Sequence, residues 1–262
     1  MTIKELFKPA RMERGLLKVW KRNFFYFKKT ILVSLFWIVL EPLMYLGAIG
    51  YGLGSYVDVI DGKPFLDFFF PGLLATTAMM VPFFEGTYAN FTKLTHQKIY
   101  TSILLTPIEP DEIIYGELLW CATKGFFSAC GVLLISIFFG LVHTWMVIPA
   151  LLILFLTSWL FSCLAMVVTS LARNYDSFVY ATSGFIIPMS LVAGTYFPVS
   201  HMPKVLQFLA YVLPLTHAVS LVRALINESF ENIHYFNLAY LVFFTWIAMN
   251  LATKRIRKKL IS

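Results

Sequence analysis

Five histidines, His96, His143, His201, His217 and His234, are the residues here best suited to hold a metal or move a proton. Their spacing serves neither role. They are scattered over connecting segments with no ligand spacing, so no metal site is expected. Glu109, Asp111 and Glu112 bring carboxylates together, as an integral membrane transferase would at one membrane face, but no paired histidine or metal pattern accompanies them. Neither a Gly-x-Ser-x-Gly elbow nor a His-Glu-x-x-His helix is present. A phosphate loop ending in Gly-Lys-Ser/Thr is also lacking, so this chain does not hydrolyse ATP by that route. Cys121 and Cys130 fall on opposite faces of one expected helix, and with Cys163 they read as structural thiols.

Charges inside apolar runs are the remaining chemical feature, because ionised groups are costly in lipid. Glu41 lies near the middle of the first such run and Lys124 near the middle of the third. Each is roughly 10–14 residues from the same end, about 15–20 Å at helical rise. They can neutralise one another inside a bundle or meet a substrate directly. Glu85 and Glu117 lie nearer the run ends and are expected to reach water.

The elements that carry these groups follow from composition. The 262 residues are 59% hydrophobic and 13% charged, with a mean hydropathy of +0.75. A soluble domain of this size cannot hide so much apolar surface, so the bilayer must act as solvent. The net charge of +7 gathers at the two ends of the chain without any base-reading motif, which argues against nucleic acid. The opening residues also lack the short apolar core and cleavage site of a secretory signal.

Residues 1–29 are basic. Leu16, Trp20, Phe24 and Phe27 recur at helical spacing while Lys18, Lys21 and Arg22 take other faces, which predicts an amphipathic helix in the membrane interface. A six-helix transmembrane domain is then expected over residues 30–253, followed by a basic tail over 254–262. The spans predicted are Ile31–Gly54, Leu66–Ala89, Ile113–Leu141, Met146–Leu171, Phe178–Tyr196 and Tyr235–Ala252. Gly50 and Gly54 form a small-xxx-small pair open to a close helix, and Pro71 and Pro82 should bend the second span. Lysines and arginines concentrate on the face that holds both termini, so both ends are expected in the cytoplasm. Between the second and third spans, Lys98–Leu105 predicts a short helix that cannot cross, closed by Pro107 and Pro110.

Ser183–Arg223 departs from this regularity. The apolar run breaks at Gly194-Thr195-Tyr196-Phe197-Pro198, and a second apolar segment, Val205–Leu213, is too short to cross. Non-helical backbone at membrane depth is tolerated where protein or a water-filled cavity covers it. A re-entrant segment in the outer leaflet is therefore expected, with a helix lying flat on the surface as the alternative.

Several motifs, in order along the chain, carry a resemblance. They are Glu41-Pro42-Leu43-Met44-Tyr45-Leu46 running to Gly50-Tyr51-Gly52-Leu53-Gly54-Ser55, then Phe84-Glu85-Gly86-Thr87-Tyr88, then Lys98-Ile99-Tyr100-Thr101 to Thr106-Pro107-Ile108. Gly194-Thr195-Tyr196-Phe197-Pro198-Val199 and Leu213-Pro214-Leu215-Thr216-His217-Ala218-Val219 follow. The chain thereby resembles the permease subunits of type-2 ABC exporters, closest to the nodulation protein J family of lipo-oligosaccharide export systems. That resemblance implies an all-α membrane protein of the bacterial inner membrane, working as a homodimer with two copies of a separate ATPase that binds ATP and Mg. It implies no cofactor in this chain itself. It also makes residues 93–107 a coupling helix, with Lys93, His96, Gln97, Lys98, Ile99, Tyr100, Ser102, Leu105, Thr106 and Pro107 facing the ATPase. The N-terminal helix becomes a connecting helix, and the segments around Val199–Leu215 become short outer-leaflet helices. Glu85, Tyr196, Phe197 and Pro198 are candidates for the cargo's path. Exporters of lipids or small drugs share these features, and a membrane transferase or passive channel is the rival class.

Overall fold

The computed structural model describes residues 15–32, 36, 40, 43–57, 59–60, 62–142 and 144–261. Within them the chain is almost wholly helical, as expected where lipid leaves backbone groups no other partner. Helix α1 is Gly15–Lys29, α2 is Phe65–Phe84, α3 is Ile99–Leu104 and α4 is Pro110–Phe138. Then come α5 (Val147–Leu171), α6 (Asp176–Ala181), α7 (Lys204–Val212), α8 (Pro214–Ile226) and α9 (Asn232–Ile261). The short strands β1 (Val59–Ile60) and β2 (Lys63–Pro64) pair antiparallel ahead of α2.

Four stretches among the described residues are long and apolar enough to cross a membrane: Phe65–His96, Pro110–Ile137, Val147–Leu171 and Asn232–Leu260. Helices α7 and α8 meet at 86° and make a fifth if read as one broken span. The predicted first span lies partly outside the described residues; its visible end, Leu46–Gly52, is a π-helical turn. The predicted fifth span corresponds to a shorter apolar helix, Asp176–Val192, in which α6 continues through a wide turn. Gly194, at φ +83°, ends that run in a conformation open to glycine.

Helices α2, α4 and α5 form the centre; α9 lies along α5, α8 closes over α2, α5 and α9, and α1 lies along α4. Phe69, Leu74 and Met79 of α2 meet Leu118 of α4, Leu160 and Phe161 of α5 and Leu241 of α9 in one core. Small residues permit this closeness. A Cβ on Gly125 would stand 2.6 Å from Pro82 Cδ and 2.8 Å from Ser158 Oγ. Pro82 cannot donate to the Ala78 carbonyl one turn earlier, and Ser158 Oγ supplies that bond at 3.0 Å. Gly50 and Gly54 admit Leu66 and Phe65, so the close neighbour of that pair is the start of α2 in the same chain.

Two boundaries differ from expectation. The second span runs on through wide turns at Glu85–Ala89 and Thr92–His96 rather than ending at Ala89. Residues 254–261 continue α9 as helix instead of forming a separate tail, because Ala252 and Ile256 are buried against the bundle.

Candidate functional site

Helix α1, the wide turns that end α2, the start of α4 and the last turns of α9 gather at one end of the bundle, the basic end. Four-residue spacing lines up Gly15, Val19, Asn23 and Phe27 as the buried stripe of α1. A polar Asn23 in that stripe needs a partner, and Glu117 of α4 provides one.

Glu117 is fully buried, which corrects the expectation that it reaches water. Its Oε1 accepts from Arg22 Nη2 at 2.7 Å. Its Oε2 accepts from Lys93 Nζ at 2.7 Å and from Asn23 Nδ2 at 2.9 Å. One carboxylate thus ties α1, the end of α2 and α4. Arg22, expected on the outer basic face, turns inward because an unpaired buried Glu117 would be far costlier than a held arginine.

Glu85 forms a second node one level deeper. It accepts from Trp120 Nε1 at 3.0 Å and from Lys124 Nζ at 2.7 Å. Lys124 therefore finds its ion partner in Glu85, while Glu41, the partner expected for it, lies outside the described residues. Trp20, Phe24 and Phe27 of α1 pack on Trp120 and Cys121, and Trp20 Nε1 donates to Thr123 Oγ1 at 3.1 Å. The apolar face of α1 thus lies against α4. Between α1, α2 and α4 is a cavity of about 510 Å³, whose walls include Arg22, Lys93, Lys124, Glu85, Phe27 and Trp120.

The acidic cluster at the start of α4 is structural. Glu109 and Glu112 cap the helix reciprocally, Glu112 also accepts from the Gly15 N–H at 2.9 Å, and Asp111 lies 3.5 Å from Arg257. Glu109 and Glu112 are thus engaged at the helix start, while Asp111 meets Arg257 through Oδ2 alone.

Helix α3 projects from this end. Lys98, at φ +50°, turns the chain into it. Tyr100 is buried with Val19 and Ile113, flanked by Ile99, Ile103, Leu104 and Ile108. Burial, with the Glu117 carboxylate second, pushes the Tyr100 phenol well up, so it stays neutral. Of the ten residues expected to face an ATPase, His96, Gln97, Lys98, Ser102, Leu105, Thr106 and Pro107 are exposed. Tyr100 and Lys93 turn inward, as anchor and ion partner, and Ile99 is half-buried. His96 stacks on Tyr175 at 5.5 Å, joining this elbow to the turn before α6.

At the far end, Tyr196 rests on Phe69 at 5.6 Å, Phe197 is exposed, and Pro198 lines a cleft of about 390 Å³ beside Tyr211, Thr216 and Arg223. Arg223 donates to the carbonyls of Phe68 at 3.0 Å and Gly194 at 2.8 Å. His217 Nε2 meets the Tyr211 carbonyl at 2.9 Å and its Nδ1 meets Asn237 Oδ1 at 2.8 Å, clasping the α7–α8 bend to α9. Sequence reading missed Arg22, Asn23, Trp120 and Arg223; Asn23 alone carried a signal, as a polar break in an apolar stripe.

The described residues thus form a helical bundle with four stretches long and apolar enough to cross a membrane and a short elbow helix at its basic end. Residues 12–227 match the ABC-2 type transporter family, and the chain belongs to it. It is 35% identical over 207 residues to Nodulation protein J of Sinorhizobium fredii, covering 79% of each chain. It is 34% identical over 213 residues to Nodulation protein J of Rhizobium meliloti, covering 81% of each. Inner membrane transport permease YadH of Escherichia coli is similar at 24% over 212 residues, or 79% of this chain and 80% of that one.

Proposed function

We propose that this chain is the permease of an ATP-driven exporter that carries an amphiphile with a glycan head, a lipo-oligosaccharide, from the inner leaflet of the bacterial inner membrane. Two copies would pair, each with one copy of a separate ATPase that binds ATP and Mg, and both termini would be cytoplasmic. The observation that carries this reading is the elbow: a six-residue helix, Ile99–Leu104, anchored by buried Tyr100 and presenting Ser102, Leu105 and Thr106 outward. Leu105, just past the end of that helix, is 87% exposed and so open to a partner surface.

Movement of the elbow would pass into the bundle through Glu117, which grips both the α2 end and α1. Tilting those helices opens and shuts a path without any bond chemistry in this chain. The cargo's head would cross between facing protomers while its tail stays near lipid, and Tyr196, Phe197 and Pro198 would border its exit.

The test is reconstitution of the chain with the ATPase from its own gene cluster. Hydrolysis stimulated by lipo-oligosaccharide, and lost in Leu105→Asp while both subunits remain folded, is the expected result. Full stimulation in Leu105→Asp, or none by any lipid-linked glycan, would overturn the reading. Stimulation by plain lipids or small amphiphilic drugs alone would retain the exporter and replace its cargo.

A further inference from the structure

We propose that the cavity between α1, the wide turns of α2 and α4 is a binding site for the anionic, phosphate-type headgroup of a membrane amphiphile. Arg22, Lys93 and Lys124 supply three positive charges to its walls. Glu85 on the wall and Glu117 behind it supply two negative ones, so the cluster retains one positive charge.

Hydrogen bonding points the same way. Both oxygens of Glu85 are taken, by Trp120 and Lys124, and both oxygens of Glu117, by Arg22, Lys93 and Asn23. Every carboxylate oxygen of the pair is already engaged, while the cations keep N–H groups to spare, since an ammonium carries three and a guanidinium five. Lys124 spends one of its three on Glu85. Arg22 Nη1 is shielded from water and has no acceptor, a rare state for a buried donor. A small swing of the guanidinium presents it to a ligand oxygen. An oxyanion with several oxygens answers both the charge and the donor excess, in the short charge-assisted bonds that arginine and lysine form with phosphate.

The volume and the setting identify an amphiphile rather than a free ion. About 510 Å³ leaves room for the carbons attached to the phosphate, and Phe27 and Trp120 offer them aromatic walls. Helix α1 exposes Leu17, Phe25 and Tyr26 beside Lys18, Lys21, Lys28 and Lys29. That surface suits the depth at which lipid headgroups sit. The site does not depend on the chain being an exporter, and its test needs neither ATPase nor transport.

The experiment is native mass spectrometry of the full chain in detergent, titrated with phosphatidylglycerol, phosphatidylcholine and glycerol 3-phosphate. One phosphatidylglycerol should bind per chain, at least about tenfold more tightly than either other probe, as charge-assisted bonds to a net anion require. Arg22→Gln should weaken it about tenfold to a hundredfold, the worth of a hydrogen bond to a charged group. Lys124→Gln, which removes the ion partner of Glu85, gives a second variant should Arg22→Gln unfold, and should weaken binding similarly. Lys28→Gln, on the exposed face of α1, should leave it unchanged. Equal loss in all three variants would mean diffuse attraction and overturn the site. So would equal binding of phosphatidylcholine, or of glycerol 3-phosphate without its acyl chains.

Discussion

The two ends of the bundle are fastened by different chemistry. At the basic end, helices are joined by side-chain ion pairs: Arg22 and Lys93 on Glu117, Lys124 on Glu85, Arg257 on Asp111. At the far end, the fastening side chains reach backbone carbonyls: Arg223 those of Phe68 and Gly194, His217 that of Tyr211, Tyr240 that of Val212. An ion pair joins two side chains that can each swing with their helices, whereas a carbonyl is fixed to its own backbone. Under the proposed function the basic end would transmit displacement, while the far end holds the α7–α8 bend to α9.

The sharpest way to break this contrast is Glu117→Ala. It leaves Arg22 and Lys93 without their shared anion and should cost about 3–5 kcal/mol, the usual loss on removing one partner of a buried pair. Thermal unfolding in detergent measures it, and a loss under 1 kcal/mol would reduce the node to decoration. Next is Gly116→Ala. Its Cβ would stand 2.7 Å from Val19 Cβ and 2.9 Å from the Leu16 carbonyl. Overpacking there should cost about 1–3 kcal/mol and loosen α1 selectively, seen as faster protease cleavage between Lys18 and Lys29.

At the far end, His217→Ala removes both clasping bonds and should cost about 1–3 kcal/mol. Hydrogen exchange should rise in α7 and α8 while the amides of α1 stay protected. Exchange rising equally at both ends would show that the two fastenings are not separate. Smallest is Tyr100→Phe. The Tyr100 hydroxyl is buried without a partner, so its removal should be neutral or stabilising by up to about 1 kcal/mol. A marked loss would mean the hydroxyl is bonded and the elbow held by more than apolar packing.

Much of this was legible in the chain. Val147–Leu171 was read to within one residue, because an apolar run bounded by polar turns admits one helical solution in lipid. Lys98–Leu105 became Ile99–Leu104, because Pro107 and Pro110 stop what precedes them. The charge nodes were not legible. Arg22 and Glu117 are 95 positions apart, and no local pattern joins them. Glu85 and Lys93 are eight residues apart, which at 100° per residue leaves them about 80° from a common face. The wide turns between them change that register, and both reach the same cavity.

By itself the sequence determined the solvent, the helices, the breaks at proline and Gly194, and the sign of charge at each end, since composition and short-range sterics settle these. Tertiary structure decided which charges meet, that Arg22 turns inward, and that Glu117 is dry. Those outcomes depend on how closely Gly116 and Gly125 let helices approach, and burial raises the cost of leaving an ion unpaired until only one set of partners remains.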